Sequence, residues 1–187
     1  MDSYIDICVL PMPELADAHI LNTVYSKLHL QLAALKTGGI GVSFPEVDEK
    51  KHSLGQCIRV HGSKNELEAL MATRWMLRLH DYASAGSISS TPTGVQHRVV
   101  RRVQVKSSPE RLRRRLMKRQ SVSEEEARQR IPDTIAQKTK LPYISVQSAS
   151  TGQRFKLFIS HGALQPAPST GTFSAYGLSG KASIPWF

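Results

Sequence analysis

Six apolar residues early in the chain constrain its fold more than any other feature. Ile20, Leu21, Val24, Leu28, Leu32 and Leu35 recur at helical spacing and form one face of a helix from Glu14 to about Leu35, stopped by Gly38 and Gly39. Short apolar runs surround it. Tyr4–Leu10, ended by Pro11 and Pro13, reads as a strand. Ile40–Phe44 reads as a second and Cys57–His61 as a third. Ser63 opens another helix, with Glu66 at the capping-box position and Leu67, Leu70, Met71, Trp75 and Leu79 on its buried face. Ala83–Gly94 is rich in Ser, Gly, Thr and Pro and reads as a loop.

Val99–Val105 alternates like a strand, with Val99, Arg101, Val103 and Val105 on one face and Val100, Arg102, Gln104 and Lys106 on the other. The order β-α-β-β-α-β is the ferredoxin-like arrangement. An α+β protein follows: a ferredoxin-like domain over 1–95, its last strand continuing to about 106, then a basic region over 96–187. In that region Ser123 and Glu126 start a short helix ending near Ile131–Pro132. Tyr143–Ser148 and Phe155–Ile159 read as strands joined by ASTGQ, and a Gly-rich tail begins at Gly171.

Charge divides the same way. The net charge of the 187 residues is +10. Residues 1–90 hold 8 Lys/Arg against 10 Asp/Glu, and residues 91–187 hold 17 against 5. The excess peaks in SSPERLRRRLMKRQ, Ser107–Gln120, where six of the nine residues Arg111–Arg119 are basic. Ser108 suits an N-cap followed by Pro109, and Ser107 with Glu110 alternatively suits a capping box. On a helix, Arg111, Arg114, Arg115 and Lys118 share one stripe with Arg119 at its border, while Leu112 and Leu116 point elsewhere and can dock it. Like charges at i, i+4 destabilise an isolated helix. A solvated basic face is one reading; a polyanionic partner that relieves the repulsion, a nucleic acid, is the other and the better supported.

Cys8 and Cys57 lie in apolar runs, have no zinc spacing and read as buried free thiols in a reducing cytosol. MDSYIDICVL has neither the basic start nor the apolar core of a signal peptide. No stretch approaches the roughly 20 apolar residues of a membrane span. A soluble cytoplasmic protein with no membrane association is expected.

A two-metal nuclease needs clustered carboxylates, and the basic half offers five, three of them at the helix start Glu124–Glu126. There is no P-loop and no metalloprotease helix. No metal and no cofactor is therefore expected. RNA allows a metal-free route, because its own 2′-OH can attack the adjacent phosphate if the protein supplies a base. His29 lies at the edge of the first helix's apolar face, where a ring can be held and still reach a cleft. A histidine so placed is commonly a boundary residue satisfied by water or backbone.

The segments VQVKSSPERLRRRLMKR, SEEEARQRIPDT, STGQRFKLFISHG and YGLS…PWF, with MDSYIDI and GVSFPEVDE at the start, resemble the CRISPR-associated repeat-processing endoribonucleases of the I-F subtype over essentially the whole chain. The resemblance implies a ferredoxin-like domain joined to an RNA-clamping region with an arginine-rich helix. It implies metal-independent cutting of CRISPR precursor RNA at the base of the repeat hairpin, retention of the product, and other subunits of a type I-F effector complex as partners. By motif, His29 matches the general base, Ser148 the residue orienting the 2′-OH, and Tyr176 the positioner of the histidine. Arg102 and Gln104 match readers of purine edges, and Phe155 an aromatic that stacks on the terminal base pair. The stripe Arg111, Arg114, Arg115, Lys118 and Arg119 lies in the segment that resembles the family's arginine-rich helix.

The chain departs from the family pattern at Lys118 and Gln120, where relatives can carry Arg and His, and Lys lacks the planar fork of Arg. The turn after Ser148 also varies, so Ser150 and Thr151 are phosphate contacts by position only. Two rival readings stand beside this one. A catalytically silent hairpin-binding subunit would keep the basic stripe without turnover. A DNA-binding helix-turn-helix would use the basic helix and the short helix after it.

Overall fold

A computed structural model describes residues 1–105, 109–133, 139–147 and 152–187. The chain divides into two compact units, Met1–Val103 with Leu141–Phe187, and Gln104–Lys140. The result is a mixed α+β protein with two antiparallel sheets and helices.

In the larger unit the first sheet holds β1 (Ser3–Val9), β2 (Gly41–Ser43), β3 (Cys57–Gly62) and β4 (Ala83–Ala85) in the order β2-β3-β1-β4, and β5 (Ser89–Ser90) also pairs with β1. Burial along β1 alternates residue by residue, placing Ile5, Ile7 and Val9 in the core. Helix α1 (Asp17–Leu35) buries Ile20, Leu21, Val24, Tyr25, Leu28 and Leu32. It ends before the two glycines, because Lys36 itself turns into the left-handed region at φ 53°.

Helix α2 (Lys64–Ala72) starts on the expected capping box: the Ser63 hydroxyl accepts from Glu66 N–H while the Glu66 carboxylate accepts from Ser63 N–H. It is shorter than its apolar pattern suggests. Arg74 has φ 54°, which breaks the helix, so Trp75 and Leu79 are buried from the turns that follow.

The second sheet runs β7-β8-β6-β9, from β6 (Gln96–Val103), β7 (Tyr143–Gln147), β8 (Arg154–Gln165) and β9 (Ser183–Trp186). Two expectations are corrected here. The Val99–Val105 strand exists as β6 but pairs with β8 and β9, not with the first sheet. The fourth strand of the first sheet comes instead from the segment read as a loop: β4 and β5 are three and two residues long. Ala and Ser carry little strand propensity, and β1 supplies their pairing. Core residues from both sheets, among them Val60, Ile7, Ile144, Leu157 and Ile184, form one cluster with α1.

The thiols are also corrected. Cys8 and Cys57 face each other across β1 and β3 and form a disulfide, with Cα atoms 4.1 Å apart. Val9 N–H donates to Gln56 O next to them, so the cysteines occupy the close, non-hydrogen-bonded pair of the ladder. Each sits on the half-exposed face, which the apolar run had hidden. No helix among the described residues is long and apolar enough to cross a membrane.

Two buried histidines make this unit sensitive to acid. Burial pushes the His61 imidazole down to about 3, with Arg59 adding to the effect, and His161 down to about 4, with Arg98 adding. His61 Nε2 meets Ser43 Oγ at 2.8 Å. His161 packs edge-on to Phe44 and Trp186, and neither of its nitrogens has a partner among the described residues. Below the ordinary histidine value the unfolded chain takes up protons that the folded one refuses. Stability is therefore complete above about pH 6.5 and lost progressively as pH falls towards 4 and then 3. Thermal unfolding between pH 7 and 4 should show a continuous fall in Tm, and His161→Phe should flatten it. A Tm independent of pH over that range would contradict this account.

Candidate active site

The larger unit gathers His29, Tyr176, Arg102 and Phe155 into one cluster. His29 projects half-buried from α1. Its Nδ1 lies 2.8 Å from the carbonyl oxygen of Ala175. A carbonyl only accepts, so the proton of the neutral ring is on Nδ1 and the lone pair is on Nε2. The ring stacks on Tyr176, centroids 4.0 Å apart and planes within 7°. The Tyr176 carbonyl accepts from the Tyr25 hydroxyl at 2.8 Å. Tyr25 is four residues before His29 on α1, so the helix holds both ends of the contact. Burial raises the Tyr25 hydroxyl well above the ordinary tyrosine value; Tyr176 adds to this and Arg102 opposes it. Tyr25 therefore stays a neutral donor.

The chain at Ala175 and Tyr176 is fixed by a tight turn. Ser174 N–H donates to Leu178 O and Gly177 N–H to Ser174 O. Gly177 has φ +66°, and its carbonyl accepts from Val42 N–H of β2 at 2.7 Å. A Cβ there would strike the Val42 side chain. Glycine is thus required both by the left-handed backbone and by the close approach to β2.

Arg102, exposed on β6, completes the cluster. Its guanidinium carbon is 5.5 Å from the Tyr176 ring centre and 5.6 Å from that of Phe155 on β8, within cation–π range. A cation, a ring platform and an imidazole with its lone pair on Nε2 are thereby placed together. Gln104 is exposed beyond the end of β6, in the smaller unit. Ser148, Ser150 and Thr151 lie outside the described residues. The hairpin pairing that leads to them ends at Gln147 opposite Arg154. Sequence reasoning missed Tyr25 and the Ala175 carbonyl; the i, i−4 relation of Tyr25 to His29 was the available signal for the first. Among the described residues, no group of three or more His, Cys, Asp or Glu converges as a metal site.

In the smaller unit, α3 (Pro109–Gln120) and α4 (Glu124–Arg130) pack together. Arg111, Arg114, Arg115, Lys118 and Arg119 are all exposed on α3, and Leu112, Leu116 and Met117 are half-buried. The remaining arginine, Arg113, turns inward: Nε donates to Ile131 O at 2.8 Å and Nη2 to Asp133 at 2.7 Å. Gln120 Oε1 accepts from Arg130 at 3.0 Å, tying it to α4. Ser123 caps α4 by accepting from Glu126 N–H. Lys106, Ser107 and Ser108, and with them the proposed cap of α3, lie outside the described residues.

Residues 4–187 match the CRISPR-associated protein (Cas_Csy4) family. The chain belongs to the Cas_Csy4 family. The CRISPR-associated endonuclease Cas6/Csy4 of Pseudomonas aeruginosa (strain UCBPP-PA14) is 48% identical over 187 residues, covering 100% of both chains. The enzyme of the same name from Escherichia coli (strain UTI89 / UPEC) is 44% identical, also over 187 residues and 100% of both. Cas_Csy4 membership bears out the resemblance drawn from the motifs, and it spans both units of the chain.

Proposed function

We propose that this protein is a metal-independent endoribonuclease that cuts CRISPR precursor RNA at the base of the repeat hairpin and keeps the product. The relatives' endonuclease names support the activity. The observation that carries the chemistry is His29, whose Nδ1–H is committed to the Ala175 carbonyl so that Nε2 is left as a base.

The reaction needs little more. Nε2 takes the proton of the 2′-OH; the O2′–P bond forms and the P–O5′ bond breaks. The products are a 2′,3′-cyclic phosphate and a 5′-OH, the leaving oxygen taking a proton. Tyr176 holds the imidazole plane by stacking. Ser148 orients the 2′-OH, and Ser150 and Thr151 contact the phosphate. Arg102 reads a purine edge beside Phe155, which stacks on the last base pair, and Gln104 reads a second. The stripe Arg111, Arg114, Arg115, Lys118 and Arg119 grips the stem as an arginine-rich helix. The fold reading for the first sheet is ferredoxin-like, supported by the antiparallel order β2-β3-β1-β4. Other subunits of a type I-F effector complex are the protein partners of this reading.

Incubation with the repeat hairpin in excess EDTA tests the proposal. Cleavage should persist at the magnesium-containing rate and leave a cyclic phosphate. A strict magnesium requirement, or a 3′-OH end, overturns the mechanism. Tight binding with no cleavage in either condition favours the silent subunit.

A further inference from the structure

Three successive carbonyls are held by groups from the first half of the chain. Ala175 O accepts from His29 Nδ1, Tyr176 O from the Tyr25 hydroxyl, and Gly177 O from Val42 N–H. Between β8, which ends at Gln165, and β9, which begins at Ser183, the chain forms neither helix nor strand. No ladder therefore sets the direction of these carbonyls, and the bonds made to them do.

The three bonds set different things. The Val42 bond runs from backbone to backbone and fixes Gly177. The His29 bond is the one whose geometry bears on the reaction. The Tyr25 hydroxyl holds the peptide between them and is built to do so. Its ring is 1% exposed and lies beside Phe44, centroids 5.9 Å apart, so the donor is carried on a packed ring. Tyr25 stands about one helical turn before His29. Both side chains thus come from one rigid element and reach adjoining peptides.

The proton of a neutral imidazole is placed by the bond its ring makes. Ala175 O selects Nδ1–H only while it points at the ring. Without the Tyr25 hydroxyl the Tyr176 carbonyl loses its donor. The peptide after Tyr176 can then turn, and the peptide before it, which carries Ala175 O, turns with it. The stack on Tyr176 cannot compensate, because it fixes the plane of the imidazole and both ring nitrogens lie in that plane.

We infer that Tyr25 is a positioning residue for His29: by holding Tyr176 O it aims Ala175 O, which keeps the imidazole proton on Nδ1 and the lone pair on Nε2. The inference rests on the endoribonuclease reading and gives Tyr25 no contact with RNA.

Tyr25→Phe tests it, because phenylalanine fills the same space and removes only the donor. Single-turnover cleavage of the repeat hairpin should fall roughly tenfold, within the loss that a misplaced catalytic group produces. Hairpin affinity should stay at the wild-type value. Nitrogen NMR of the imidazole rings in the RNA-free protein reads the tautomer directly, at about pH 8, above the ordinary histidine range. Wild-type His29 should carry its proton on Nδ1; in Tyr25→Phe the proton should be divided between the two nitrogens. Ser43→Ala controls for stability alone. It deletes another buried hydroxyl of the same unit, 2.8 Å from His61 Nε2, and should leave both the rate and the His29 tautomer unchanged. A Tyr25→Phe protein with the wild-type rate, an unaltered tautomer or weakened hairpin binding overturns the inference. So does an equal loss of rate in Ser43→Ala. The wild type supplies a condition that needs no variant: His29 protonated on Nε2 overturns the inference as well. In each of these cases a His29→Ala protein that no longer cuts leaves the endoribonuclease reading standing. Cleavage by His29→Ala at the wild-type rate overturns the mechanism and this inference together.

Discussion

His29→Ala should slow single-turnover cleavage of the repeat hairpin by about 10²–10⁴, the usual contribution of a general base, with little change in hairpin affinity. The imidazole is held by two interactions that need no RNA: the Nδ1–H bond to Ala175 O and the stack on Tyr176. The lone pair of the neutral ring is thereby on Nε2. Removing the ring deletes the base and leaves the basic residues of α3 untouched. Tyr176 separates positioning from chemistry. Tyr176→Phe keeps the ring and should retain most of the rate, because it is the Tyr176 carbonyl, not its hydroxyl, that meets Tyr25. Tyr176→Ala should lower the rate while leaving binding intact. A hairpin with 2′-deoxy at the nucleotide before the cut should bind and stay whole. Wild-type cleavage by His29→Ala, or cutting of the deoxy substrate at the same bond, removes His29 from the mechanism whatever the family.

How much of this was legible in the sequence depends on what each signal measures. Helical periodicity measures burial, and it gave α1 its inner face, with His29 at the edge of that face. Capping chemistry is local, so Ser63–Glu66 and Ser123–Glu126 were readable as helix starts. Strand partners are not local. The alternation in Val99–Val105 established a strand but carried no information on which sheet would receive it. It joined β8, whose twelve residues provide the pairing length. Nor could composition reveal β4 and β5, whose Ala and Ser residues are strands because β1 pairs with them.

The candidate site divides in the same manner. Tyr176 and Gly177 were visible as a motif, and the structure supplies the reason: a left-handed turn that lets the chain approach Val42 and delivers the Ala175 carbonyl to His29. Backbone groups have no sequence signature, which is why that carbonyl was missed. The cysteines were misread because each was judged against its own apolar neighbours, whereas the decisive fact is that Cys8 stands opposite Cys57 across the ladder.

The grip on RNA should be the second large effect. Replacing Arg111, Arg114, Arg115 and Lys118 together by Gln should weaken hairpin binding by about 10³-fold or more. That follows if each side chain contributes at least about 1 kcal/mol, the lower end for an arginine reaching a base edge, since 1.4 kcal/mol is tenfold. The salt slope should flatten by about 0.9 for each phosphate that is no longer neutralised, up to roughly 3.6 for four. All four residues are exposed on α3, while Arg113, which holds Ile131 O and Asp133, is spared. Relieving like-charge repulsion at i, i+4 should, if anything, steady the helix. The phenotype is therefore the reverse of His29→Ala: a weak complex whose cleavage recovers at saturating protein. Duplex DNA of the same sequence, used as competitor, should displace the wild type poorly. Unchanged affinity and slope in the fourfold variant would turn α3 away from RNA. Preferential binding of the DNA duplex would restore the helix-turn-helix reading of α3 and α4.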